Sequence, residues 1–156
     1  MTPAREPSMT DLTQEITNAV GTKYSVARLR DCVSLIEPRI VLLSDIPDGV
    51  PATLDVIVTR IEELVDGLTS YGIVSDLAEA SAGSITAEYR AYVPQRFKRL
   101  AAERPGLCHF ATAFYGNPLA RVLAKFMIGR LGAPTTLHKS RDLALQAVRA
   151  ALPPME

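Results

Sequence analysis

From Leu54 onward the chain alternates between helical and strand-type hydrophobic periods, and that alternation restricts the fold more than any other feature. Leu54, Ile57, Val58, Ile61, Leu64, Val65 and Leu68 recur at three- and four-residue intervals, which predicts a helix with one buried stripe. Tyr71-Gly72-Ile73-Val74-Ser75-Asp76-Leu77 then reads as a short strand with an acid near its end. Residues from Ile85 to Arg104 return to helical composition, with Pro94 expected to kink the helix or split it in two. Leu107 to Tyr115 is apolar and strand-like, and Gly116-Asn117-Pro118 supplies a cap and a first helical residue for another helix. That helix has Leu119, Val122, Leu123, Phe126, Met127 and Leu131 on one face and stops at Gly132. Thr135-Thr136-Leu137-His138 predicts a last strand. Ser140-Arg141-Asp142 opens a terminal helix with Ala144, Leu145, Val148 and Leu152, ending before Pro153-Pro154. Repeated strand–helix–strand units of this kind predict an α/β domain around a mostly parallel sheet of four to five strands.

Upstream, residues 1–8 read as a tail. Leu12, Ile16, Ala19 and Val20 fall on one helical face behind Thr10, with Gly21 placed to end it, so a short N-terminal helix is expected. Tyr24, Val26 and Leu29, then Val33–Ile36, then Ile40–Leu43 read as β, the last two runs broken by Glu37-Pro38-Arg39. Ile46-Pro47-Asp48-Gly49 is a turn cluster. The organisation expected is a tail and short helix over 1–22, one domain over 23–152 and a tail over 153–156. A chain of 156 residues is the size of one such domain.

Charge and cysteine usage remove several function classes. Seventeen basic residues against seventeen acidic ones leave a formal net charge of zero, so neither nucleic acid nor a membrane surface is an expected partner. No signal-peptide pattern and no apolar run of membrane-spanning length occurs, which predicts a soluble, cytoplasmic protein. Cys32 and Cys108 stand in or beside apolar runs without zinc spacing and read as buried free thiols, so no metal and no cofactor is expected. His109 and His138 are the only histidines. Cys108 and His109 are adjacent in a strand and point to opposite faces, so they cannot form a nucleophile–base pair. Neither histidine has an orienting partner evident in the sequence, and no catalytic residue is assigned.

The succession hairpin, helix, strand, helix, strand, helix, strand, helix resembles the STAS domain, the fold of the bacterial anti-sigma-factor antagonists. Ile73-Val74-Ser75-Asp76-Leu77 looks like that family's central strand, and Cys108–Phe114 with Asn117-Pro118-Leu119-Ala120-Arg121-Val122 like its next strand and helix. Arg141-Asp142-Leu143-Ala144-Leu145-Gln146-Ala147 looks like its closing helix. The resemblance covers about residues 33–152. Phosphorylatable members carry Asp-Ser-Ser-Gly or a close variant where this chain has Gly83-Ser84-Ile85-Thr86, without the preceding acid or the following glycine. The resemblance therefore implies the fold, and a non-enzymatic regulatory module binding a protein partner, more directly than it implies a phospho-switch.

Ser81, Ser84 and Thr86 lie at a predicted strand-to-helix junction, where free backbone amides and the helix dipole favour an added anion. The simpler role for Ser84 or Thr86 is capping. Asp76, at the end of a predicted parallel strand, lies where open α/β sheets gather ligands, with Tyr115 and Asn117 as a candidate ligand edge. No glycine-rich phosphate cradle accompanies them, and a turn role for Asp76 is the plainer one. Arg90, Arg96, Lys98, Arg99 and Arg104 make one helix basic, and Arg121, Lys125 and Arg130 the next; each set reads first as a solvated face. The expected contact region for a protein partner is thus Asp76, Ser81, Ser84, Thr86 and Arg90. A homodimer is left open, and a carrier or sensor of a nucleotide or lipid on the same fold is the alternative.

Overall fold

The computed structural model describes residues 12–17, 23–46, 50–77, 87–114 and 133–154. Its main sheet has five strands, β3 (Val33–Glu37), β4 (Ile40–Leu43), β5 (Tyr71–Asp76), β6 (Leu107–Ala113) and β7 (Thr135–His138), in that spatial order. β3 and β4 form an antiparallel hairpin around the Pro38-Arg39 turn, and β4 to β7 run parallel. The helix α2 (Pro51–Val65) leads from β4 to β5, and α3 (Ala87–Glu103) from β5 to β6. The helix α4 (Arg141–Ala151) follows β7. The chain is thus α/β with a mixed, mostly parallel sheet, as the alternating periods imply.

The two faces of the sheet bury different residues because side chains alternate along each strand. Val41, Leu43, Tyr71, Ile73 and Phe110 meet the stripe of α2 (Leu54, Ile57, Val58, Ile61, Val65) and Val93, Phe97 and Leu100 of α3. Phe97 and Phe110 stand edge to face with ring centres 5.0 Å apart, pinning α3 to β6. On the opposite face Ile40, Leu42, Val74, Ala111 and Ala113 lie under Ala144 and Val148 of α4. All four residues of β4 are buried, which is why it reads as an unbroken apolar run. Gly72 sits under α4 where a Cβ would collide with Val148, so its missing side chain sets how closely that helix approaches.

Two local expectations are corrected. Leu12 and Thr13 are helical, but the expected N-terminal helix does not continue: Glu15–Thr17 is a strand, β1, paired antiparallel with β2 (Lys23–Ser25) through Ile16 opposite Tyr24. Ile16 and Thr17 are β-branched, and pairing lets Ile16 and Tyr24 pack together on the core. In a run this short, helical and strand periods are hard to separate. Conversely, Val26–Arg30 is a helix, α1, where a strand is expected. Ser25 caps it, accepting from Arg28 N at 3.1 Å, and the three-residue step from Val26 to the buried Leu29 is helical spacing.

Pro94 does not split α3, which runs through it to Glu103. The expected tail over 1–8, the loop from Ala78 to Ser84 and the helix from Pro118 to Leu131 lie outside the described residues. Among the described residues no helix is long and apolar enough to cross a membrane.

Candidate functional site

The carboxyl ends of the parallel strands put Asp76, the last residue of β5, beside the start of α4. Ser140 caps that helix, accepting from Leu143 N at 3.2 Å, and Asp142 in its first turn suits the dipole. Arg141, one residue past the cap, reaches back so that its Nε lies 2.8 Å from Asp76 Oδ2. The carboxylate is nearly covered, with 9% of its side chain exposed, while Arg141 keeps 49%. Two residues further on, Leu143 is exposed, as are Leu35 and Ile36 on β3 among the described residues. Here, then, is a carboxylate engaged by a guanidinium, beside an arginine and a leucine that face solvent.

Of the other residues expected at this edge, Arg90 lies in the first turn of α3, three residues before the buried Val93, and is half-buried on the flank of the helix's core stripe. Ser81, Ser84, Thr86, Tyr115 and Asn117 lie outside the described residues, as do Arg121, Lys125 and Arg130.

Three of the cations expected to make this helix basic, Arg96, Arg99 and Arg104, are paired with acids. Arg96 is buried rather than solvated: its Nε lies 3.3 Å from Asp55 and its Nη2 2.8 Å from Glu62, both on α2. Tyr92 donates to the same Asp55, which pushes the phenol's pKa up by favouring its protonated form. Arg96 Nη1 has no hydrogen-bond partner among the described residues, so the seam between α2 and α3 is incompletely satisfied. Asp55 and Glu62 stand seven residues apart, two helical turns, and the guanidinium bridges them. Arg99 pairs with Glu103 at 3.1 Å and Arg104 lies 3.6 Å from Asp66. Arg96, Arg99 and Arg104 are thus each held by an acid, while Lys98 remains exposed on the helix.

The cysteines are free. Cys32 is buried and accepts from Arg28 Nη1 at 2.9 Å; burial raises its pKa, with Arg28 opposing. Cys108 is half-buried and donates to Gly106 O at 3.2 Å. Neither thiol meets a base among the hydrogen bonds of the described residues.

The residues that sequence reading missed are the histidines. His109 Nε2 lies 2.8 Å from Thr136 Oγ1, and His138 Nε2 lies 2.6 Å from the same oxygen. Both are half-buried, and burial lowers the basicity of each, with His138 lowering that of His109 further. The partner that neither histidine shows in the sequence is the Thr136 hydroxyl, 27 residues from His109 along the chain. Among the described residues no group of three or more His, Cys, Asp or Glu could hold a metal ion. No protein-family model, curated protein or solved structure matches the chain.

Proposed function

We propose that the chain is a non-enzymatic, STAS-like regulatory module that binds a protein partner in bacterial signalling, through the surface where β5 meets α4. The observation that carries this reading is the Asp76–Arg141 pair with its exposed neighbour Leu143. A ligand-binding strand edge needs polar groups free to converge on a small molecule, and here the strand-end carboxylate is already engaged. Arginine is among the residues that protein interfaces enrich, and the exposed Leu143 gives Arg141 an apolar neighbour on the same helix turn. The order of hairpin, helix, strand, helix, strand, and later strand and helix supports the STAS reading. In that reading the contact surface extends over Ser81, Ser84 and Thr86 to the first turn of α3.

The test uses the untagged full chain as bait in extract from its source organism, against the variant Leu143→Asp. Leu143 is exposed, and an acid suits the first turn of α4, so the variant should keep its thermal stability. A partner held by the wild type and lost from the variant is the expected result, with Ser84→Glu and Thr86→Glu weakening it further. Three outcomes reject the proposal. One is equal retention by both proteins. A second is a small molecule that co-purifies in native mass spectrometry, which would make the chain a carrier. The third is catalytic turnover that disappears with Cys108→Ala or His138→Ala.

A further inference from the structure

The sheet gathers all of the chain's imidazole nitrogen chemistry at one place. β6 and β7 run parallel with Thr136 opposite Ala111 and His138 opposite Ala113. Side chains alternate along a strand, so His109, two residues before Ala111, shares the α4 side of the sheet with Thr136 and His138. His109 reaches Thr136 from one position behind and His138 leans back from one ahead, so both Nε2 atoms converge on one hydroxyl oxygen. On β6 only the methyl groups of Ala111 and Ala113 stand beside them on that face.

A threonine hydroxyl has one proton, so it can donate to one ring nitrogen while accepting from the other. The neutral pair therefore presents one Nε2 lone pair and one Nε2–H towards Thr136. Burial disfavours the imidazolium form of both rings, so at neutral pH an incoming cation need not displace an acidic proton.

We propose that His109, His138 and Thr136 form a binding site for a divalent transition-metal ion of the copper, nickel and zinc class, held by the two Nε2 atoms beside the Thr136 hydroxyl. For bonds of about 2.0–2.1 Å, adjacent ligands stand about 2.9 Å apart around an octahedral ion and about 3.3 Å apart around a tetrahedral one. The nitrogen–oxygen separations of 2.8 and 2.6 Å fall about 0.1–0.3 Å short of the octahedral edge and about 0.5–0.7 Å short of the tetrahedral one, so the three groups must open slightly on binding. On binding, the ring that carried Nε2–H moves that proton to Nδ1 through solvent, and Thr136 keeps its proton and turns it away from the ion. Water completes the coordination, since both rings are partly exposed. Two imidazoles select copper, nickel and zinc over the oxygen-seeking magnesium and calcium. The site would also fasten β7, the edge strand, to β6. It departs from the expectation of no metal, which rested on cysteine spacing and could not see ligands that meet only through strand register.

Because the chain has two histidines, the imidazole region of a long-range ¹H–¹⁵N spectrum of the untagged protein holds two ring systems, each assignable with one variant. Titration with zinc chloride should shift both rings together at one ion per chain and raise the melting temperature. Affinity should follow copper above nickel and zinc, with magnesium chloride producing no ring shift. His109→Gln and His138→Gln should each weaken binding about 100-fold or more, and Thr136→Val about tenfold, the size of effect seen for groups that orient a ligand. Cys108→Ser should change nothing. A single ring responding alone, no response at millimolar zinc, wild-type affinity in either histidine variant, or loss of binding in Cys108→Ser would each overturn the proposal. The two-ring readout on the wild-type protein decides the question even if a variant fails to fold.

Discussion

A single methyl group added at Gly72 measures how tightly α4 is seated on the sheet. Its Cβ would collide with Val148 Cγ1 and stand 3.6 Å from Val148 Cβ and 3.5 Å from His109 O. Val148 is fully buried, and a β-branched side chain in a helix has one strongly preferred rotamer, so the methyl cannot swing aside. The helix must lift, and overpacking of this kind costs about 1–3 kcal/mol. Replacing a strand glycine returns about 0.5–1 kcal/mol through the unfolded chain, leaving Gly72→Ala destabilising by up to about 2.5 kcal/mol. Val148→Ala alone removes two buried methyl groups and leaves a cavity, for a loss of about 2–3 kcal/mol. In the double variant the methyl added at position 72 occupies part of the vacated space, so the two losses should fall short of additivity by at least about 1 kcal/mol. Urea unfolding of the four proteins, followed by far-ultraviolet circular dichroism, gives this coupling directly. Additivity within about 0.5 kcal/mol, or a Gly72→Ala protein more stable than wild type, would show that α4 does not press on β5 at this point.

Further outcomes are expected elsewhere. Gly106 has φ +114° and its Cβ would strike the backbone of Thr69, so Gly106→Ala should cost at least about 2 kcal/mol by strain and clash together, read as a fall in urea midpoint; a neutral substitution would contradict that backbone geometry. Arg96→Met should cost about 3 kcal/mol by leaving Asp55 and Glu62 without their shared cation, the lower end of the usual range because Asp55 is half exposed. Adding Glu62→Gln should recover part of that loss, and no recovery would mean that packing rather than charge is what Arg96 supplies. Both histidines bind protons less readily in the fold than at their ordinary value of 6.5. Their contribution is therefore complete above about pH 6.5 and declines as pH falls below it, because the unfolded chain takes up the protons first. The urea midpoint of a His109→Gln/His138→Gln protein should fall less between pH 7 and pH 5 than that of wild type; parallel curves would refute the shift.

Among the described residues the fold was legible wherever an element is long enough for its period to be unambiguous. The stripe of α2 reappears as its buried face, with Pro51 in the first turn and Thr53 accepting from Val50 N. β4 and β5 reappear because burial on two faces leaves only apolar residues, serine, glycine and a terminal acid in them. Reading failed over residues 12–17 and 23–30, where elements of three to five residues are decided by what they touch. Ile16 satisfies a helical period and a strand pair equally, and its contact with Tyr24 on the core selects the pair. Arg96 was misplaced for a related reason. Its position on the buried stripe is set by Val93, Phe97 and Leu100, but nothing local to α3 reveals that Asp55 and Glu62 on another helix will meet it there.

The edge of β5 and the histidine pair differ in legibility for the same physical reason. Asp76 could be placed at a strand end because a strand's end is marked in its own residues, by the loss of apolar character and the small residues just beyond it. That Arg141 would be its partner needed the distance from α4 to β5, which depends on Gly72 admitting Val148. The histidines needed more. Cys108-His109 was judged from alternation alone, whereas the pairing with β5 passes from Leu107 opposite Tyr71 to His109 opposite Gly72 and skips Cys108. His109 and His138 meet only because β6 and β7 pair with Thr136 opposite Ala111. A slip of one residue would carry both Thr136 and His138 to the other face of β7, away from His109. Register between parallel strands is fixed by the packing of the whole layer rather than by a turn, as it is in the β3–β4 hairpin. A site assembled across such a pair is therefore invisible in the chain and depends on the entire sheet, so repacking α4 through Gly72→Ala should disturb the two histidine resonances although neither histidine has been changed.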